Sequence, residues 1–486
     1  MTSNESKLGF HNTQDLHFIA PAQGMKSCRL SDHYDQDHIF LQNAHNRLFQ
    51  VSELEMLNYT VREFKATPNF PSYLYCIFAG PWEYYKSKDS HGDVKLRLFG
   101  PKNQTRDLNK IVENWFQFHL FGLKYYENLL GVKYPYSKYD ITLAPQLSYS
   151  FGACEYPGNV IFEEARIDLN YSGAVYLRNF CLILHEMAHM WFGNLVSLKW
   201  WGDLWLKEAF ADYMSYLAYS NFCDSDFSFV NKEVPPIPAE VWFAERKTGG
   251  MVMDSSKYFR GGLKKKLNMS ENQVVLYDKI TYGKGFSVLH EVFHLLGGKE
   301  FFAKWANYYL ETYKNSATCT KDFIHSLSAA MAKNGLPVKM SIEKIVEDHM
   351  VMGGLDFLEF NVDYQNNVID IYQKPSNVGC YRHHYFDIAL FGRNGNKLEV
   401  IEVNMPDTEH YQVEYTESSV EFEILPNYSN FGYIMYTLSE EQRNFFQLNL
   451  TNLDNMAISV VHQYTYLEVL RGKLMIGDYL GIFVLS

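Results

Sequence analysis

His185, Glu186 and His189 make an H-E-x-x-H pattern inside the run Cys181-Leu182-Ile183-Leu184-His185-Glu186-Met187-Ala188-His189-Met190-Trp191. Residues four apart share one face of a helix, so both imidazoles reach a single metal ion and Glu186 stands beside it. A catalytic zinc takes three protein ligands and keeps a fourth position open. The third is expected from a second helix, as a histidine or a carboxylate. Glu208 meets that need, with eighteen residues between it and His189. Zinc held this way lowers the pKa of a bound water towards ~7 and polarises a carbonyl. Glu186 is placed to take that water's proton and pass it to a leaving amine. The tetrahedral oxyanion needs a donor besides the metal. A tyrosine hydroxyl, protonated at neutral pH because its pKa lies near ~10, is a natural candidate. The chain has 36 tyrosines, so the residue types alone leave that choice open.

An isolated H-E-x-x-H arises by chance on surface helices. Here the flanks are apolar, the spacing to Glu208 is right, and Trp191, Phe192, Trp200 and Trp201 enrich the connection between the two helices. The helices that must carry these residues are legible in the periodicity, over 179–192 and 204–220, with further helical patterns at 285–296 and 299–313. An earlier helix runs from about Thr105, as N-cap, to Gly131, as the residue just past the C-terminus. Before it, alternation such as Leu74, Cys76 and Phe78, ending at Gly80-Pro81, reads as β-strands. Beyond Gly353-Gly354, strand-like runs at 360–364, 368–372, 385–391, 398–403 and 420–425, separated by turn residues, suggest a β-sandwich. The tail from Leu453 is helical again.

The 486 residues suit about three domains. A hydrophobic share of 47% with 21% charged residues is that of a globular chain, and the net charge of -12 argues against non-specific binding to nucleic acid or anionic membrane. Met1 to Ala20 lacks the apolar core of a signal peptide or anchor, and no window reaches the length of a spanning helix. The seven cysteines are odd in number and scattered, without the paired spacing of a disulfide framework. A reduced, cytoplasmic setting is the expectation.

Residues 185–213, HEMAHMWFGNLVSLKWWGDLWLKEAFADY, resemble the ligand segment of the zinc aminopeptidases of the aminopeptidase N and puromycin-sensitive type, which are gluzincins. Gly152-Ala153-Cys154-Glu155-Tyr156 stands where that family carries its G-A-M-E-N exopeptidase motif, and Tyr277 to Gly285 resembles the stretch holding its catalytic tyrosine. The resemblance implies zinc as cofactor, one per chain, bound by His185, His189 and Glu208. It implies Glu186 as base, Tyr282 as oxyanion donor, and Glu155, with Gly152, Ala153 and Tyr156, as the substrate-binding residues, Glu155 fixing the free ammonium group. Cys154 and Tyr156 depart from the family's Met and Asn, and Lys207 replaces an Asn beside the third ligand.

The implied architecture is α+β and multi-domain. A truncated N-terminal β domain (1–102) precedes a thermolysin-like zinc metallopeptidase domain (103–352). A β-sandwich (353–452) and a remnant of the family's C-terminal helical domain (453–486) follow. The expected reaction is hydrolysis of the N-terminal residue of peptides, with peptides as the partners and neither nucleic acid nor membrane. The alternative is a catalytically weak or inactive relative used as a binding or assembly subunit. Endopeptidase action is a further one, because most of the helical domain that closes the family's active site is missing.

Overall fold

The computed structural model describes residues 71–484, apart from 77, 79–81, 103–111, 146, 148–151, 167–172, 225–237, 257–260, 267–275, 336–341, 375–379 and 417–420. The expected cap Thr105, the turn at Gly80-Pro81 and residues 1–70 of the expected N-terminal β domain lie outside the described residues. The chain divides into two compact units between Ser197 and Leu198, with Tyr313–Ser316 returning to the first.

The first unit is built on a five-stranded sheet of order β1-β2-β3-β5-β4, where β1 is Trp82–Lys86, β2 Lys95–Pro101, β3 Lys138–Ala144, β4 Ala153–Tyr156 and β5 Asn159–Glu163. The central pairs β2–β3 and β3–β5 are parallel, whereas β1 and β4 run antiparallel at the edges. Parallel strands are covered on both faces, and Tyr139, Ile141 and Leu143 of β3 are fully buried accordingly. Asp140, buried among them, is held by a bidentate pair with Arg97 at 2.8 Å. Pro157 and Gly158 join β4 to β5, with Gly158 at φ 67°. Proline at the first central position and a left-handed glycine at the second are the signature of a type II turn, and this turn returns the chain antiparallel. The expected strand around Leu74 is replaced by a 3-10 turn at Ser72–Leu74.

Two helices belong to this unit, α1 (Val112–Leu130) and α2 (Gly173–Ala188). Gly131 follows α1 at φ 62° with its N–H on the Glu127 carbonyl, as its reading as a terminator requires. Helix α2 differs from expectation at both ends. It begins before Asn179 and stops at Ala188, and Met190 to Phe192 form tight turns on the carbonyls of Met187 and Ala188.

The second unit contains α3 (Trp205–Cys223), α4 (Ala239–Asp254), a π-helical turn at Ile280–Lys284, α5 (Gly285–Leu295), α6 (Gly298–Tyr313), α7 (Thr320–Lys333) and α8 (Ile342–Val351). It continues into six strands, β6 (Phe357–Asp363), β7 (Val368–Lys374), β8 (His384–Gly392), β9 (Lys397–Met405), β10 (His410–Glu414) and β11 (Phe422–Pro426). They form two three-stranded sheets, β9-β8-β11 and β10-β7-β6. Leu358, Ile369 and Ile371 of one sheet share a core with Phe386, Ile388, Leu390, Val403 and Ile424 of the other, which is the sandwich the turn spacing suggests. Strand β10 is an addition to the expectation. Three helices close the described chain, α9 (Glu440–Leu448), α10 (Asn455–Leu470) and α11 (Ile476–Val484). Ser439 and Gln442 start α9 with a reciprocal capping box. No described helix is long and apolar enough to cross a membrane.

Candidate metal centre

The last turn of α2 is gripped on its buried side. Ile183, Leu184, Met187 and Ala188 are all fully buried, and the Tyr126 hydroxyl donates to the Leu184 carbonyl at 3.0 Å. His185 and Glu186 sit in that turn at 6% and 5% exposure. His189 lies one residue past the helix yet keeps its helical bond, N–H to the His185 carbonyl at 3.3 Å. The two rings therefore keep the one-face relation of a four-residue spacing. His189 Nδ1 is 3.1 Å from the Phe192 carbonyl. A carbonyl only accepts, so Nδ1 carries the proton and Nε2 presents its lone pair.

That Nε2 faces His185 Nε2 at 3.1 Å. Two ligands of a tetrahedral zinc at ~2.0–2.1 Å stand about 3.3 Å apart, so this pair fits one ion with little movement. Of the three expected ligands, His185 and His189 belong to the first unit and Glu208 to the second. Glu208 comes from the first turn of α3 and is 2% exposed. Its neighbour Lys207 is equally buried and puts its ammonium 3.2 Å from Glu208 Oε1. Lys207 stood out in the sequence as a replacement. Its burial, and its hold on a ligand carboxylate, come only from the fold.

On the sheet side, β4 is an edge strand. Glu155 on it reaches the end of α2: ligand atoms of Glu155, Glu186 and His189 also lie within 4.8 Å of one another. Asn194 fixes the strand here by donating its Nδ2 hydrogen to the Glu155 carbonyl at 2.7 Å. Sequence reasoning passed over Asn194, and no spacing rule would have found it. Gly152 lets the strand's start lie close to α2, because a Cβ there would meet Leu182 at 3.3 Å. Ala153 is buried and pairs with Phe162. Alternate residues of a strand point to opposite faces, so Tyr156 turns away from Glu155, and its ring sets an edge against Phe78 with centroids 6.4 Å apart.

Tyr282 lies within the π turn that runs into α5. Asp278 starts this turn by accepting the N–H groups of Ile280 and Thr281 at 3.1 and 2.9 Å, and Lys265 holds Asp278 from behind at 2.8 Å. Burial, reinforced by the carboxylates of Glu208 and Asp212 and partly offset by Lys207, pushes the Tyr282 phenol well above its ordinary value of 10.0. Tyr282 therefore stays a donor through neutral and mildly basic pH. Arg246 lies over its ring, 5.8 Å from the centroid, and pairs with buried Asp212 at 3.2 Å. Short π segments inside helices recur at functional sites, but nothing in the residue pattern announces this one.

Two imidazoles with a carboxylate beside them in the first unit, and a buried carboxylate and a phenol kept protonated in the second, are the residue types that metal-assisted hydrolysis uses. The comparisons with known proteins agree. Residues 118–348 match the family model described as the peptidase family M1 domain. The chain is 27% identical over 437 residues to the probable aminopeptidase 2 of Sulfurisphaera tokodaii, covering 84% of this chain and 51% of that protein. It is 24% identical over 435 residues to the leucyl aminopeptidase of Saccharolobus solfataricus, covering 88% and 50%. The puromycin-sensitive aminopeptidase of Caenorhabditis elegans is 30% identical over 281 residues, covering 56% and 27%. The matched segment, residues 118–348, is thus similar to a peptidase family M1 domain, and the relatives it resembles carry aminopeptidase names. The chain spans about half the length of the first two of these relatives.

Proposed function

We propose that this chain is a zinc-dependent aminopeptidase that removes the N-terminal residue of peptides. The observation that carries the reading is the convergence of Glu155, Glu186 and His189, with ligand atoms within 4.8 Å of one another. Two carboxylates so close repel, and a cation received between them relieves the repulsion. A free ammonium group is such a cation, and a peptide bond one residue further on then lies by the metal ligands. Strand β4 stands last in the order of its sheet, and an extended peptide binds proteins by adding to such a strand.

His185, His189 and Glu208 hold one zinc in this reading, and the ion when bound supplies Lewis acidity at the scissile carbonyl. Glu186 accepts the proton of the attacking water and delivers it to the departing amine. Tyr282 donates its hydroxyl hydrogen to the oxyanion that forms as the carbonyl carbon becomes tetrahedral. Glu155 binds the ammonium group and thereby sets the position of cleavage. The catalytic domain occupies about 103–352, with the β-sandwich at 353–452 and a helical segment at 453–486. A cytoplasmic setting belongs to the same proposal.

A second reading, a weakly active binding or assembly subunit, draws support from the Lys207 ammonium 3.2 Å from ligand Glu208, since a buried cation there competes with zinc. Aminoacyl chromogenic substrates, each with a free and an acetylated amine, separate the readings when assayed with and without a chelator. An aminopeptidase cleaves only the free-amine series, loses activity to the chelator and regains it with zinc. Cleavage of both series would indicate endopeptidase-like tolerance. No turnover by a zinc-loaded chain would favour the assembly role.

A further inference from the structure

Away from the first site, the second unit brings another ligand set together from three separate elements. Glu291 of α5, His349 of α8 and His384, the first residue of β8, have ligand atoms all within 4.8 Å of one another. All three are buried, at 2%, 0% and 1% exposure.

We propose that Glu291, His349 and His384 form a second metal site, which takes a structural divalent ion of the zinc type. The proposal is independent of the reaction assigned above. It begins with His349, whose two ring nitrogens are both buried without a hydrogen-bond partner. An imidazole taken from water and left so is costly, and a metal bond to one nitrogen offsets much of that cost.

His384 is prepared in the manner of a ligand. Its Nε2 lies 3.0 Å from Asp356 Oδ2, so the proton sits on Nε2 and the lone pair on Nδ1. That Nδ1 is buried and has no hydrogen-bond partner. A carboxylate behind a histidine fixes its tautomer and raises its basicity, the usual arrangement at zinc. Glu291 is anchored by two backbone groups, Tyr385 N–H on Oε1 at 3.0 Å and Tyr433 N–H on Oε2 at 2.9 Å. Each carboxylate oxygen keeps a second lone pair, so the side chain is positioned and still able to ligate.

The surrounding charge is compatible with a dication. Lys284 is matched by Asp254 at 2.8 Å and Arg382 by Asp356 at 3.4 Å, while buried Lys247, which also acts on Glu291, donates to the Asn430 and Gly432 carbonyls at 2.7 and 2.6 Å. Two imidazoles and a carboxylate suit zinc among the common divalent ions. Three elements tied at one point would brace α5 and α8 against the start of the sandwich.

Metal content of the full chain tests this. The His185→Ala/His189→Ala double variant, equilibrated with zinc and freed of loose ion, should retain one zinc per chain by mass spectrometry. Adding His384→Asn and His349→Gln should reduce it to none, with the far-UV spectrum unchanged. Wild-type crystals should show two anomalous peaks at the zinc edge, one of them among Glu291, His349 and His384. This measurement stands even where a variant fails to fold. A zinc-free double variant with a native spectrum, zinc surviving loss of both His349 and His384, or wild-type crystals with no peak among Glu291, His349 and His384 would each overturn the second site.

Discussion

At the scale of the residue, the roles proposed for Glu186 and for the metal ligands are separable. Glu186→Gln keeps the size and polarity of the side chain but removes its basicity. The variant should bind zinc normally and lose turnover, whereas Glu208→Ala should lose zinc affinity. Metal analysis beside an activity assay distinguishes them, and wild-type rates in zinc-loaded Glu186→Gln would move the base elsewhere. Tyr282→Phe should lower kcat by about 10²–10³-fold with little change in metal content, as for other single oxyanion donors. Lys207 is the residue whose consequence the fold changes most. Its ammonium lies 3.2 Å from Glu208 Oε1 with both side chains buried, so it withdraws one carboxylate oxygen and adds a positive charge beside the ion's position. Lys207→Asn should tighten zinc binding by at least about tenfold, measured by chelator competition, because the repulsion is poorly screened there. Weaker binding would mean that Lys207 positions Glu208 instead of opposing the metal.

At the scale of the element, the π turn that carries Tyr282 depends on a glycine-to-glycine crossing. A Cβ on Gly250 of α4 would meet Lys284 N at 2.6 Å and the Gly283 carbonyl carbon at 2.8 Å. One on Gly283 would meet the Arg246 carbonyl at 2.3 Å. Backbone cannot retreat as a flexible side chain does, so Gly250→Ala should destabilise by about 1–3 kcal/mol through overpacking. It should also displace Tyr282, and thermal unfolding with kcat at full zinc occupancy reads both effects. A normal kcat in a destabilised variant would show that the turn's register does not depend on this crossing. The edge strand β4 makes a different point. Glu155 and Tyr156 are adjacent in sequence yet serve opposite faces, so the bulky Tyr156 packs on Phe78 while the Glu155 carboxylate reaches Glu186 and His189.

At the scale of the whole molecule, buried histidine links stability to acid. His119 of α1 is fully buried, stacked on Trp115 with centroids 5.8 Å apart and edge-on to Tyr139 at 5.1 Å. Burial lowers its pKa from 6.5 to about 4, against a small opposing effect of the Trp115 carbonyl that its Nδ1 hydrogen meets. A group with a depressed folded pKa is protonated first in the unfolded chain. Stability is therefore lost as pH falls from 6.5 towards 4 and levels off below, by about 3 kcal/mol for this residue. Urea unfolding at the two pH values, compared with His119→Phe, isolates that share. An identical acid loss in the variant would assign it to other groups.

How much of this was legible beforehand follows from the range of the interactions. His185, Glu186 and His189 are set by a helical repeat of four residues, so their relation is written into the local sequence, and even the helix ending at Ala188 does not break it. The sandwich strands are legible for the same reason, because alternation and turn residues act over a few positions. Tyr282 was chosen by resemblance, since no local rule separates one tyrosine from 36. Its raised pKa and the π turn beneath it exist only once Glu208 and α4 are in place. The burial of Lys207 against Glu208 and the meeting of Glu291, His349 and His384 belong wholly to the tertiary structure. These last three residues come from two helices and a strand with no common spacing. Only packing, which buries polar atoms wherever distant elements meet, decides that they share a site.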